Sequence, residues 1–126
     1  MLKISTMEDY KMDFEELQEK VLEWADSHDL LHEENADKQF LKFVEEVFEF
    51  KTEMDFYSGK SEVLSSVSKN LMKDEMGDVF VTLIILCNQI GIEPQECLEL
   101  AYEKIKNRKG ETRNGMFYKA EDLDER

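Results

Sequence analysis

Four acidic residues stand in apolar surroundings where acids are not expected. Glu46 and Glu49 lie three apart in Phe43-Val-Glu-Glu-Val-Phe-Glu-Phe50, and Glu75 and Asp78 lie three apart in Lys73-Asp-Glu-Met-Gly-Asp-Val-Phe80. Residues i and i+3 share one face of an α-helix, so each pair can aim two carboxylates at one spot. Carboxylates beside an apolar core are costly unless something offsets their charge. An oxygen-only donor set suits a hard divalent cation, Mg²⁺ with Mn²⁺ as a substitute. Glu46, Glu49, Glu75 and Asp78 are therefore the candidate metal ligands and the candidate catalytic residues.

Spacing alone carries little weight in so acidic a chain. The same i, i+3 pattern recurs at Glu16/Glu19, Glu93/Glu96 and Glu96/Glu99, where it reads as a solvated helix face. Embedding in the two most apolar segments sets the first four acids apart. Glu45 is turned about 100° from Glu46 around a helix; it fits a water-activating base, a support for the ligands or an exposed acid. Lys104, Asn107 and Arg108 share a helical face in a basic run and suit phosphate, although cations at a helix C-terminus also complement its dipole. Lys42, one turn before Glu46, can reach the same cleft or pair with the acid. Trp24 is the one tryptophan, and it suits either base stacking or core packing. His28 and His32 are one turn apart where the helical pattern fails, which argues against a transition-metal site.

The elements that must position these residues are helical. One proline and five glycines favour long helices over a turn-rich β fold. Asp13 with Glu16 predicts a capping box opening a helix over 13–28, with Phe14, Leu17, Val21, Trp24 and Ala25 as its apolar stripe. A second helix is expected over 37–57, with Asp37 as its cap. Residues 58–68 read as a loop that passes into undetermined structure. The third helix, 69–90, is apolar nearly all round after its first turns and belongs at a bundle centre. Gly77 inside it suggests a neighbouring helix or ligand close to that backbone. Gly91 and Pro94 then predict a C-cap and the first turn of a fourth helix over 94–109. Asn114-Gly115 is a tight-turn signal for a short C-terminal hairpin or arm, and 120–126 reads as a polar tail. The expected architecture is one all-α domain, a bundle of four helices or slightly more.

Composition narrows the function. The 126 residues can bury roughly two-thirds of their unfolded surface. Thirty acidic against 16 basic residues give a net charge of −14, which argues against a nucleic-acid polymer or an anionic membrane as partner. The longest apolar run, Val79 to Cys87, is about half of a membrane span. Two separate cysteines and no basic-then-apolar N-terminal pattern point to a reducing, cytoplasmic setting.

At this point the chain resembles a known family. Glu46-x-x-Glu49, then 25 intervening residues, then Glu75-x-x-Asp78, is similar to the signature of MazG-type nucleoside triphosphate pyrophosphohydrolases. The resemblance covers residues 37–118, with Val-Glu-Glu-Val-x-Glu, Glu-Met-Gly-Asp-Val and Lys104-Ile-Lys-Asn-Arg-Lys-Gly110 as its context. The tail Asn114-Gly-Met-Phe-Tyr-Lys119 resembles small, stand-alone members. It implies an all-α, Mg²⁺-dependent homodimer or homotetramer that converts nucleoside triphosphates to monophosphate and pyrophosphate. It also implies that the four acids are the metal ligands and favours substrate contact for Lys104, Asn107 and Arg108, with Lys42 a further candidate whose alternative is a salt bridge. Some members carry an aromatic four residues after the last acid, where this chain has Thr82. The alternatives are a non-catalytic helical oligomer that binds nucleotide or protein on the same scaffold, and a di-iron bundle, which would want Glu-x-x-His pairs that this chain lacks.

Overall fold

In the computed structural model, which describes residues 11–57 and 62–123 (backbone only at 62–65), the fold is all-α with one small hairpin. Asp13 caps α1, Phe14–Ser27, by accepting a 2.8 Å hydrogen bond from the Glu16 N–H, as the capping pattern predicts. The inward face of α1 is Gln18, Val21, Leu22 and Ala25, while Phe14, Leu17 and Trp24 of the expected stripe are exposed. Both sets have helical spacing, so periodicity alone does not choose between them. Phe14 still meets Phe80 edge to face, with centroids 5.9 Å apart.

A single 3₁₀ turn, Glu33–Asn35, leads into α2, Ala36–Tyr57. Asp37 therefore stands in the first turn of α2 and does not cap it. There its charge complements the helix dipole. The next helix, α3, spans Glu62–Gln89 and begins seven residues earlier than its apolar run suggests. Its opening turns mix Val63, Leu64 and Val67 with Ser65, Ser66 and Ser68, so the serines read as loop and the dense apolar run begins only later. The loop expectation at 58–61 lies outside the described residues. At its far end, the Gly91 N–H bonds Asn88 O and the Ile92 N–H bonds Cys87 O. With φ of 76° at Gly91, this is a Schellman cap.

The described chain groups into two compact units, one ending at Ile92 and one beginning at Glu93. In the first, α2 and α3 lie side by side in opposite senses, since Gln39 reaches Thr82 while Glu46 meets Glu75 and Asp78. The buried apolar residues, Ala25, Ile84, Ile85 and Cys87, come from α1 and α3. Gln89 Nε2 donates to Leu30 O at 2.8 Å and ties the α1–α2 connection to α3. Gly77 has open space where a Cβ would stand, so no neighbouring helix accounts for it.

The second unit holds α4, Pro94–Ile105, then strands β1, Gly110–Arg113, and β2, Met116–Lys119, and the single turn α5, Ala120–Leu123. Pro94 occupies the first turn as expected, and the Glu93 side chain accepts from the Glu96 N–H. The fourth helix stops four residues before the expected 109. The physical reason is the hairpin: Gly110 already pairs with Lys119, and a Cβ on Gly110 would collide with the Tyr118 carbonyl and the Phe117 ring. Asn114 and Gly115, both with positive φ, form the two-residue turn that joins the strands.

Candidate metal centre

The packing of α2 on α3 brings Glu46, Glu75 and Asp78 together. One carboxylate oxygen from each lies within 4.8 Å of the other two. Glu49, the fourth candidate, contacts Glu75 through a side-chain hydrogen bond and stands beside this mutually close set. Glu46 is 6% exposed, Glu75 is half-buried and Asp78 opens to solvent, so the cluster runs from the helix interface outward. The antiparallel packing explains the convergence: i, i+3 spacing on one helix meets i, i+3 spacing on the other at the same level.

The electrostatics are those of crowded like charges. Burial raises the Glu75 pKa first; Asp78, Glu46 and Asp74 raise it further, and the hydrogen bond with Glu49 pulls the other way. Burial also leads the upward shift of Asp78, with Glu46 and Asp74 adding to it and Lys42 opposing it. Asp74 was not among the sequence candidates, and its acidity adds to the field without joining the cluster. Lys42 is the cation at this site. Its Nζ lies 3.3 Å from Glu46 and 3.5 Å from Glu45, and these contacts raise its own pKa. Glu45 is exposed and engaged by that lysine.

Whether a divalent cation suits these residues can be judged from their unsatisfied atoms. Glu46 Oε2 and Glu75 Oε2 are buried without a hydrogen-bond partner. A buried acceptor left unpaired costs about 1–3 kcal/mol, more when charged. Mg²⁺ and Mn²⁺ take oxygen donors, and Mg–O distances of about 2.0–2.1 Å require ligand oxygens to gather closely. The three carboxylates supply that donor type with oxygens within 4.8 Å of one another, so a small side-chain adjustment lets the residues fit such an ion.

Beside the acids is a cavity of about 420 Å³, lined by Leu17, Val21, Trp24 and Val81 with Lys20 and Asp78 at its edge. Trp24 is 50% exposed, so of its two sequence readings core packing is the one the structure does not show. Thr82 contributes nothing to this space: it is buried, and its hydroxyl donates to Asp78 O and Val79 O of its own helix. His28 stacks on Trp24, with centroids 4.6 Å apart, and His32 pairs with Asp29.

Lys104, Asn107 and Arg108 belong to the second unit. They do not share a helical face, because α4 ends at Ile105, yet they line one cavity of about 460 Å³. Lys109, Lys119, Ala120 and Glu121 complete its wall. Lys119 was missed in the sequence. The signal was available, since a two-residue turn at Asn114-Gly115 sets Lys119 opposite Gly110.

No family model matches this chain, and no solved structure does either. Over 84 residues the chain is 31% identical to an uncharacterized 18.2 kDa protein of the rep-hol intergenic region of Haemophilus phage HP1 (strain HP1c1). That match takes in 64% of this chain and 44% of the relative, so the chain spans less than half of the phage protein's length.

Proposed function

We propose that this protein is a Mg²⁺-dependent hydrolase that cleaves nucleoside or deoxynucleoside triphosphates to monophosphate and pyrophosphate. The observation that carries the reading is the pair of orphaned, buried carboxylate oxygens on Glu46 and Glu75, facing each other from α2 and α3 with Asp78 beside them. An acidic cleft repels a polyphosphate unless cations intervene, and a divalent ion, when bound, offsets that charge and polarises phosphoryl oxygens. Glu46, Glu75 and Asp78 would hold the ion. Glu49 orients Glu75 through their hydrogen bond, and Lys42 tempers the charge on Glu46.

In the proposed reaction water adds to the α-phosphorus and the bond from that phosphorus to the bridging oxygen breaks, releasing pyrophosphate. The apolar cavity next to Asp78 is the proposed seat of the base, with Trp24 as the stacking surface. Assembly as a homo-oligomer is part of the proposal, supported by Leu41 and Phe48, which stand 67% and 65% exposed seven residues apart on α2.

The test is direct. Purified protein incubated with a panel of ribo- and deoxyribonucleoside triphosphates and Mg²⁺ should release pyrophosphate and monophosphate from at least one of them. Glu75→Gln should abolish that release. A folded protein that binds nucleotide and cleaves none would instead be a nucleotide-binding oligomer.

A further inference from the structure

We infer that the site selects bases with a ring carbonyl (uracil, thymine, guanine, hypoxanthine) over cytosine and adenine, which carry an amino group there, and that Lys20 discriminates between them. The inference rests on the triphosphate reading above and names the substrate class within it. Leu17, Lys20, Val21 and Trp24 stand at i, i+3, i+4 and i+7 on α1 and line the cavity beside Asp78, with Val81 of α3. At about 420 Å³ the cavity is larger than a pyrimidine or a purine, so size does not choose between bases. Hydrogen bonding is left to do so. Asp78 belongs to the acidic cluster with Glu46 and Glu75. Apart from it, the side chains of the wall offer donors only: the Lys20 ammonium, with three hydrogens and no lone pair, and the Trp24 indole N–H. A base carbonyl accepts from Lys20. An amino group in the same place sets donor against donor and leaves both unpaired.

The plain role for Lys20 is a surface ion pair with Glu23, at 3.5 Å, the two side chains being 64% and 68% exposed. A pair so exposed contributes little, so a carbonyl oxygen in the drier cavity competes well for the ammonium. What sets Lys20 apart is its place on α1, between Leu17 and Trp24 on the face that lines the cavity. Trp24, by contrast, is held still. His28 stacks on the indole with centroids 4.6 Å apart and is no part of the cavity wall. The His28 Nδ1 lies 2.9 Å from Trp24 O and 3.0 Å from Ser27 Oγ, which fixes the imidazole in turn. A base stacked on this steadied indole therefore presents its edge at a reproducible place, one helical turn from Lys20.

Binding of non-hydrolysable triphosphates in Mg²⁺ keeps this inference separable from the hydrolytic reading. UTP and CTP analogues differ by one exchange of a carbonyl oxygen for an amino group, and ITP and ATP analogues by the same exchange on a purine. Calorimetry gives the affinities, and quenching of Trp24, the one tryptophan, shows that each ligand sits at this cavity. The uridine and inosine ligands should bind about tenfold more tightly than their amino counterparts, the value of one charge-assisted hydrogen bond. Lys20→Met, which keeps the side chain's length and removes the ammonium, should bring both ratios to about one. Lys20→Arg, which keeps a donor, should preserve the preference, and Lys38→Met on exposed α2 should leave both ratios unchanged. Equal affinities within each pair, or ratios that survive Lys20→Met, overturn the inference. So does a loss in Lys20→Met shared equally by all four ligands, which would make Lys20 a counter-charge to phosphate. Absence of binding by all four overturns this inference and the triphosphate reading together, whereas intact ratios without hydrolysis of any natural triphosphate count against the proposed reaction alone.

Discussion

Replacing Glu46 by glutamine removes one negative charge and one ligand atom while keeping the side chain's volume at the α2–α3 interface. Three carboxylates, those of Glu46, Glu75 and Asp78, converge there, with Glu49 beside Glu75 and Lys42 as a cation in contact with Glu46. For the wild-type protein, Mn²⁺ at a hundredfold excess over its Kd should stabilise the fold by about 2.7 kcal/mol. For a domain of this size that is a rise in Tm of roughly 10 °C. Disturbing even a group that supports a metal ligand costs about 10–100-fold in affinity, so losing a ligand should cost at least the upper end. At the same Mn²⁺ concentration the ion is then no more than about half bound, and the remaining stabilisation is about 0.4 kcal/mol, or 1–2 °C. Without metal, Glu46→Gln should melt at or slightly above the wild-type temperature. It relieves repulsion on Glu75 and Asp78, and the Lys42 contact it gives up is half in solvent and worth about 0–1 kcal/mol. The assay is differential scanning fluorimetry across a Mn²⁺ series, with Glu19→Gln on exposed α1 as the control. An undiminished Mn²⁺ shift in Glu46→Gln would refute the assignment.

Gly77→Ala should raise stability by about 1 kcal/mol, because the position is helical and open; a fall in chemical-denaturation midpoint would reveal a close contact at that backbone. Trp24→Ala should weaken nucleoside triphosphate binding about 5–100-fold, the value of one stacked base, while leaving the Mn²⁺-induced Tm shift intact; unchanged affinity would return Trp24 to a purely structural role. The raised pKa values of Glu75 and Asp78 mean that the folded state holds protons the unfolded chain has lost. Metal-free stability should therefore fall as pH rises from the ordinary carboxylate range near 4 through the raised values. Thermal melts of Asp78→Asn over the same pH series should show a shallower decline, and an identical slope would contradict the shift; His32, also raised, contributes equally to both proteins. Phe48→Glu should lower the sedimentation coefficient of any oligomer toward that of the monomer, and an unaltered distribution would place the interface elsewhere.

The acidic centre was legible because its two signals reinforce each other: i, i+3 acids and an apolar context both survive in one dimension. What the pattern could not give was depth. Glu46 is buried, Asp78 is open and Glu49 stands to one side, distinctions fixed by the rotation of α2 against α3 rather than by spacing. Trp24 shows the same limit from the apolar side, since α1 has two overlapping stripes and packing selects the one through Gln18, Val21, Leu22 and Ala25. The start of α3 was hidden because Ser65, Ser66 and Ser68 read as loop, although Val63, Leu64 and Val67 among them keep helical spacing with Leu71. The end of α4 was misplaced for a different reason. Lys106 to Lys109 have adequate helix propensity, but the hairpin's need for extended chain at Gly110 overrides it. The same hairpin recruits Lys119, which proximity in the chain does not connect to Lys104.

The central claim is that carboxylates from α2 and α3 jointly hold a divalent cation, and anomalous X-ray scattering from crystals grown with Mn²⁺ and a non-hydrolysable triphosphate tests it most directly. The account predicts an anomalous peak within bonding distance of Glu46, Glu75 and Asp78, with the triphosphate on its open side. Mn²⁺ bound elsewhere while those three side chains keep their free oxygens would contradict it.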